Sequence, residues 1–303
     1  MLIRPFKSFS PLTQSISKRP SSIFLPLSSQ SFSAKETDSK WRPIVPKFKV
    51  RLDRKSFYMA HPIWDQQDVE NVELVHRPPK DLRDRAALTI IKTLRKFFDL
   101  ASGYKPGNCT ETGYLRRFLF LEIIAGVPGM IGGMMRHMRS LATMKRDHGW
   151  IHHLLEEAEN ERMHLFTFLD MRQPGLLFRI GILGAQSIFI LAYTTMYFLS
   201  AKSAHRFVGY LEEEAVKTYS LCLKELDEGT LPKWKNMDAP EIAKTYWDLG
   251  PDAKLRDVIL AVRADEIMHR EMNHHFADLR ADAPAEKWDI EVTGEIKKHG
   301  HSH

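Results

Sequence analysis

Two Glu-x-x-His pairs interrupt what would otherwise be apolar stripes. They are Glu161–His164 in LLEEAENERMHLFTF and Glu266–His269 in LRDVILAVRADEIMHREMNHHF. Leu154, Ala158, Glu161, Leu165 and Phe168 recur at alternating steps of four and three, the spacing of one helix face. Leu255, Ile259, Val262, Glu266, His269, Asn273 and Phe276 keep the same step. Each stripe therefore carries a carboxylate into a core, with an imidazole one turn further on. A buried, unpaired carboxylate is costly, and a metal ion is a partner that removes the cost. Two more stripes carry one Glu each: Leu115, Phe118, Glu122, Ala125 and Val208, Glu212, Ala215, Tyr219, Cys222, Leu226. Two Glu-x-x-His helices with one Glu from each of two others make the set that holds two metal ions in a four-helix bundle. The expected ligands are Glu122, Glu161, His164, Glu212, Glu266 and His269.

The selection of these residues rests on phase. The chain contains four Glu-x-x-His matches, and a single match is weak. Glu73–His76 adjoins Pro78-Pro79 and lies off any long helix. Glu271–His274 starts five residues after Glu266, about 140° around the same helix, so only one pair is expected to face the centre. The seam through Leu255, Ile259 and Val262 selects Glu266 and His269. Glu212 is the first of three glutamates, a pattern usual for a solvated face. Its phase with Val208, Ala215 and Tyr219 singles it out. Glu122 taken alone has an equal reading as a core carboxylate paired to Arg116 or Arg117.

Four carboxylates and two imidazoles suit iron or manganese. Such a pair can bind O₂ and supply two electrons to it. Asp265, Asn160 and Trp247 are candidates to orient the ligands from outside. Tyr219 lies seven residues after Glu212, on the same helix side. It is either packing or a redox group that supplies a further electron and proton.

The elements that must carry these residues follow from the chain order. Residues 1–35 hold Arg4, Lys7, Lys18, Arg19 and Lys35, many serines and no acid, the composition of a cleaved mitochondrial presequence. With those five set aside, the 44 Lys/Arg nearly balance the 38 Asp/Glu, so the body offers no basic face for nucleic acid. Cys109 and Cys222 make no disulfide framework. Residues 36–80 are Pro-rich and read as an extended arm with at most short turns; no strand signal is apparent. Residues 81–280 read as the helical bundle and 281–303 as a tail. Asp81 is the expected N-cap of the first helix. The Glu122 helix is expected over about 112–145, kinked or broken near Pro128.

Between Ile180 and Ala201 there is no charge, which by length alone suggests a transmembrane span. The ligands argue otherwise. Glu161 and His164 precede the run, whereas Glu212, Glu266 and His269 follow it. A span would separate them by a hydrocarbon layer about 30 Å thick. The run is therefore expected to lie in one leaflet as an interfacial helix, or else inside the protein. The apolar, Gly-rich half of the Glu122 helix is its expected neighbour, with Arg136, Arg139, Lys145 and Arg146 meeting head groups. The fold expectation is all-α: a ferritin-like di-iron bundle with two additional membrane-facing segments, monotopic in the membrane.

The motifs LFLEIIAGVPGM, LLEEAENERMHL, GYLEEEAVKTY and RADEIMH strongly resemble those of the mitochondrial alternative oxidases, with similarity from about Ala60 to Leu279. The resemblance implies two Fe held by the six residues above, with Tyr219 as the redox tyrosine. It also implies a quinol pocket around Arg117, Leu121, Leu211, Ala215 and Thr218. The implied enzyme oxidises ubiquinol and reduces O₂ to water, resists cyanide and pumps no protons. It would be a homodimer on the matrix side of the inner mitochondrial membrane. Plant members carry regulatory cysteines, one in the arm and one six residues before the first glutamate. Here the arm has none and Arg116 fills the second position, as in protist or fungal members. Alternatives are a di-iron hydroxylase of a quinone precursor or lipid, a plastid-type quinol oxidase, and a ferritin-like metal store.

Overall fold

The structure is a computed structural model that describes residues 48–51, 58–65, 69–70, 72 and 74–285. The presequence and most of the C-terminal tail lie outside these residues, as does Glu73. The described elements are β1 (Phe48–Arg51), β2 (His61–Trp64), α1 (Leu82–Ser102), α2 (Glu111–Thr143), α3 (Trp150–Met171), α4 (Leu176–Leu199), α5 (Ala201–Asp227), α6 (Glu241–Tyr246) and α7 (Leu255–Asp278). The body is thus all-helical.

Local chemistry sets the helix ends. Asp81 caps α1 by accepting from the Asp84 N–H at 2.9 Å. Gly103 closes α1 with φ +67°, a left-handed turn that favours glycine. Thr110 caps α2 by accepting from the Gly113 N–H at 3.1 Å. At the start of α3 the Asp147 carboxylate accepts from the Ile151 N–H at 2.7 Å. Helix α2 continues through Pro128 for 33 residues, about 50 Å of rod, so the alternative of a break is not realised.

The helices pair as α2 with α3 and α5 with α7, with α1 lying on α5 and α4 across α2 and α5. The glycines of α2 explain how closely the first pair approaches. A Cβ on Gly129 would stand 2.5 Å from the Leu154 carbonyl oxygen and 3.0 Å from the Ala158 nitrogen, both backbone atoms. Gly209 has the same function in the second pair, since a Cβ there would lie 2.4 Å from His274 Nδ1. Helix α7 is buried along almost its whole length. The core between the pairs is aromatic, with Phe118 stacked 4.6 Å from Tyr219 and tilted against Phe168 at 4.9 Å.

Three apolar faces remain open. Helix α4 exposes Leu177, Ile180, Leu183, Ile188 and Leu191 and buries only Ile182, Tyr193 and Tyr197. Helix α2 turns its glycines to α3 and leaves Met130, Met134, Met138 and Leu141 outward. Helix α1 adds an outward stripe of Ile90, Leu94 and Phe97 that periodicity alone did not distinguish from a core face. Arg136 is not available to head groups as expected: it is buried, bonded to Asp147 at 2.7 Å and stacked on Trp150.

The arm differs from its expected form. Its two four-residue strands pair antiparallel, Phe48 with Trp64 and Arg51 with His61. Strands this short leave too few residues for a visible alternation, so periodicity does not reveal them. His61 and Trp64 are buried on the body.

Candidate metal centre

Donor atoms of Glu122, Glu161, His164 and Glu266 all lie within 4.8 Å of one another, and all four residues are buried. They come from α2, α3 and α7. His164 Nδ1 faces Glu122 at 3.2 Å, Glu161 at 3.5 Å and Glu266 at 3.5 Å. Glu212 of α5 and His269 of α7 are buried beside them. His269 Nδ1 stands 2.7 Å from Glu161 Oε1 and 3.9 Å from Glu266 Oε2. The structure therefore gathers the six residues that the stripes singled out.

Ionisation explains why this cluster calls for cations. Burial, with the neighbouring carboxylates adding to it, pushes Glu161 up to about 8 and Glu266 up to about 7. Glu212 rises well above the carboxylate range through burial and the nearby Glu266 and Glu161. Both oxygens of Glu161, one each of Glu212 and Glu266, and both ring nitrogens of His269 have no hydrogen-bond partner. The His269–Glu161 approach is close but not aligned as a hydrogen bond. Buried polar atoms without a hydrogen-bond partner are rare unless something binds them. Four carboxylates balance two divalent ions, and the oxygen and nitrogen donors suit iron or manganese, so the residues fit a di-metal centre.

An outer layer fixes the imidazole on one side. Asp265 accepts from His164 Nε2 at 3.0 Å, Asn160 Nδ2 at 3.0 Å, Trp247 Nε1 at 2.8 Å and Trp64 Nε1 at 2.7 Å. Asp265, Asn160 and Trp247 were expected from sequence, but Trp64 was not. Burial would raise Asp265, yet the hydrogen bond and charge of His164 bring it below its ordinary value. His164 in turn loses through burial and gains more from Asp265 and the cluster carboxylates, ending well above its ordinary value.

Tyr219, 2% exposed, donates its hydroxyl to Glu122. Burial and the charge of Glu122 keep the phenol well above its ordinary value, hence protonated. Glu157, a residue the stripe reading missed, lies one turn before Glu161. It accepts from Asn273 Nδ2 at 2.8 Å, and burial pushes it up to about 7. Its phase, between Leu154 and Glu161, was the signal that could have found it.

The neighbouring acids divide by partner. Glu213 is buried as well as Glu212 but turns away to His274 (3.1 Å), His76 (2.6 Å) and the Arg77 N–H (3.0 Å). Glu214 pairs with Lys217 at 2.7 Å and Arg95 at 3.2 Å. The decoy pair Glu271–His274 is buried too, because α7 is enclosed on all sides. Glu271 meets Arg270 at 2.8 Å and His274 meets Arg206 at 2.9 Å.

Of the five residues expected around the quinol, Arg117 and Thr218 are buried and Leu121, Leu211 and Ala215 are half-buried. Arg117 pairs with Asp99 at 2.7 Å and lies 4.1 Å over the Tyr104 ring. Arg95 links the two polar members, bonding Asp99 at 2.9 Å and Thr218 Oγ1 at 3.0 Å. Neither Arg95 nor Asp99 was marked by sequence. A cavity of about 780 Å³ is lined by Arg117 but not by the other four.

A family model described as Alternative oxidase matches residues 64–278. A mitochondrial alternative oxidase of Emericella nidulans is 47% identical over 251 residues, covering 79% of this chain and 71% of that one. One from Trypanosoma brucei brucei is 51% identical over 237 residues, with 78% and 70% covered. A third, from Botryotinia fuckeliana, is 42% identical over 274 residues, with 82% and 76% covered.

Proposed function

From the premise that the chain belongs to the alternative oxidase family, we propose how its own residues perform that family's reaction. The chain is a mitochondrial, cyanide-resistant terminal ubiquinol oxidase that reduces O₂ to water and pumps no protons. The observation that carries the mechanism is the buried, hydrogen-bond-poor set of four carboxylates and two imidazoles.

Glu122, Glu161, Glu212 and Glu266 with His164 and His269 would hold two iron ions. When bound, the ions supply the site at which O₂ is taken up and reduced. Asp265 holds His164 so that Nδ1 faces inward. Tyr219 would supply one electron to the O₂ under reduction and pass its proton to Glu122, its hydrogen-bond acceptor. Moving the proton with the electron leaves no bare charge in an apolar interior. Arg117 and Thr218, with Leu121, Leu211 and Ala215, receive the quinol head. The Asp99–Arg95 link keeps the two polar members in register.

The apolar stripes of α1 and α4 seat the protein in one leaflet of the inner mitochondrial membrane, on the matrix side. This agrees with ligands that precede and follow α4 in the chain meeting in one cluster. A homodimer forms across the outward Met130–Met134–Met138–Leu141 face of α2. Residues 1–35 act as the presequence, 36–80 as the arm, 81–280 as the di-iron bundle and 281–303 as the tail.

The test is cyanide-resistant O₂ uptake by the purified protein with ubiquinol, alongside an iron count. Two ubiquinols consumed per O₂ with no oxygen inserted supports the reading. Oxygen incorporated into the organic product would replace it with a hydroxylase.

A further inference from the structure

The cavity of about 780 Å³ lies where the end of α1, the loop at 103–110, the start of α2 and the α3–α4 turn meet. Lys105, Arg116, Arg117 and Arg172 line it, and no carboxylate does. Arg117 is neutralised by Asp99. Among the described residues no carboxylate pairs with Lys105, Arg116 or Arg172, so three cations converge on this space without a counter-charge. Part of its wall is aromatic: Phe98 stacks on Phe120 at 4.7 Å, and Tyr104 and Phe178 also face the space. Next to the lining residues in the chain stand Phe97, Leu100, Leu176 and Leu177, each at least 70% exposed.

We infer that this cavity binds the phosphodiester head group of an anionic phospholipid, with the lipid's chains running out along α1 and α4. The three unpaired cations set the charge of the ligand. The aromatic walls and the apolar rim require that the same ligand be greasy a few ångströms away. A free phosphate meets the first condition only, and a neutral quinol meets the second only. Basic residues beside an anionic leaflet attract its head groups, with the strength falling off within a Debye length. The inference rests on the interfacial seating proposed above.

The test separates the two. Full-length purified protein is floated with vesicles of phosphatidylcholine alone and of phosphatidylcholine with phosphatidylglycerol. Arg116→Gln and Arg172→Gln remove two of the cations and touch neither the metal ligands nor the quinol residues. At about five-fold per cation, the double variant should lose roughly 25-fold of the gain that phosphatidylglycerol gives, with binding to neutral vesicles unchanged. Loss of neutral-vesicle binding by the unaltered protein would overturn the seating itself. An unchanged phosphatidylglycerol gain in the double variant would overturn the head-group site.

A second reading localises the ligand. Cys109 lines the cavity and is half-buried, whereas Cys222 is fully buried. Short-chain phosphatidylglycerol should slow alkylation of Cys109, and inorganic phosphate at equal concentration should not. Equal protection by phosphate, protection by a short-tailed ubiquinol instead, or no protection by the lipid would each refute the assignment.

Discussion

Asp265→Asn is the substitution that most directly separates a centre shaped by its outer layer from one held by its ligands alone. Oδ2 of Asp265 accepts from three donors, on His164, Asn160 and Trp247, and Oδ1 accepts from Trp64. Asparagine has one acceptor oxygen. Turned to serve the three donors, it points its NH₂ at the indole N–H of Trp64, 2.7 Å from the present oxygen. A buried donor left facing a donor costs about 1–3 kcal/mol. The three surviving bonds lose their ionic character and with it about half their strength. His164 is then less basic and less firmly oriented, and losing such a partner typically lowers metal affinity about 10–100-fold, or about 1.4–2.7 kcal/mol. The readout is iron retention against a graded chelator, with far-UV circular dichroism to verify the fold. Trp64→Phe removes the opposed donor, so adding it to Asp265→Asn should restore part of the lost affinity. An Asp265→Asn protein that is folded and holds iron as tightly as the unaltered chain would refute the argument. So would a double variant with no recovery.

Tyr219→Phe should keep its iron and lose quinol-dependent O₂ uptake; normal turnover at full iron content would remove the tyrosine from the mechanism. Glu161→Ala should lose both iron and turnover, because Glu161 stands between the two imidazoles. Gly129→Ala sets a methyl 2.5 Å from a backbone oxygen, so α2 and α3 must part, at about 1–3 kcal/mol or more, read as a lower Tm. Gly133→Ala meets the Leu155 side chain at 3.1 Å and should cost less. Burial lowers His205 to about 4 from an unfolded value near 6.5. The folded chain therefore refuses a proton that the unfolded chain takes, and stability should fall by roughly 3 kcal/mol as pH drops from about 6.5 to about 4. Urea titrations of the unaltered chain and of His205→Gln should differ in slope over that window and nowhere else.

The ligands were legible in the sequence because each sits in phase with its own helix. Periodicity is a local property, and the alternation of Leu154, Ala158 and Glu161 needs no knowledge of the partner helix. The limits appear wherever burial is decided by neighbours. Glu271 and His274 were set aside because one helix face was assumed to be the core, yet α7 is enclosed on every side and buries them with Arg270 and Arg206. Glu213 belongs to a run of three acids, a pattern usual for a solvated face, but arm residues His76 and Arg77 bond it and it is buried. Helix α1 shows the converse. Its stripe has the period of a core face, and only the packing reveals that Ile90, Leu94 and Phe97 point out. For the uncharged run of α4 composition alone allows a span, and the ligands that lie on either side of it in the chain argue against one.

The arm then ceases to be an appendage. Trp64 donates to the carboxylate that orients His164, and His61 stacks on Tyr246 at 3.9 Å, whose hydroxyl accepts from Asn160. Tyr246 and Trp247 belong to the short α6 segment between α5 and α7, so arm and loop close over the same end of the centre. Farther along, Arg77 bonds Asp278 and Glu213, tying the arm to the last turn of α7 and the middle of α5. Helices α5 and α7 contribute Glu212, Glu266 and His269. A bundle assembled from helices alone would bring the six ligands near one another but leave Asp265 Oδ1 short of the Trp64 donor, so that the carboxylate orienting His164 is itself less firmly held. Metal retention should therefore depend on the arm staying docked.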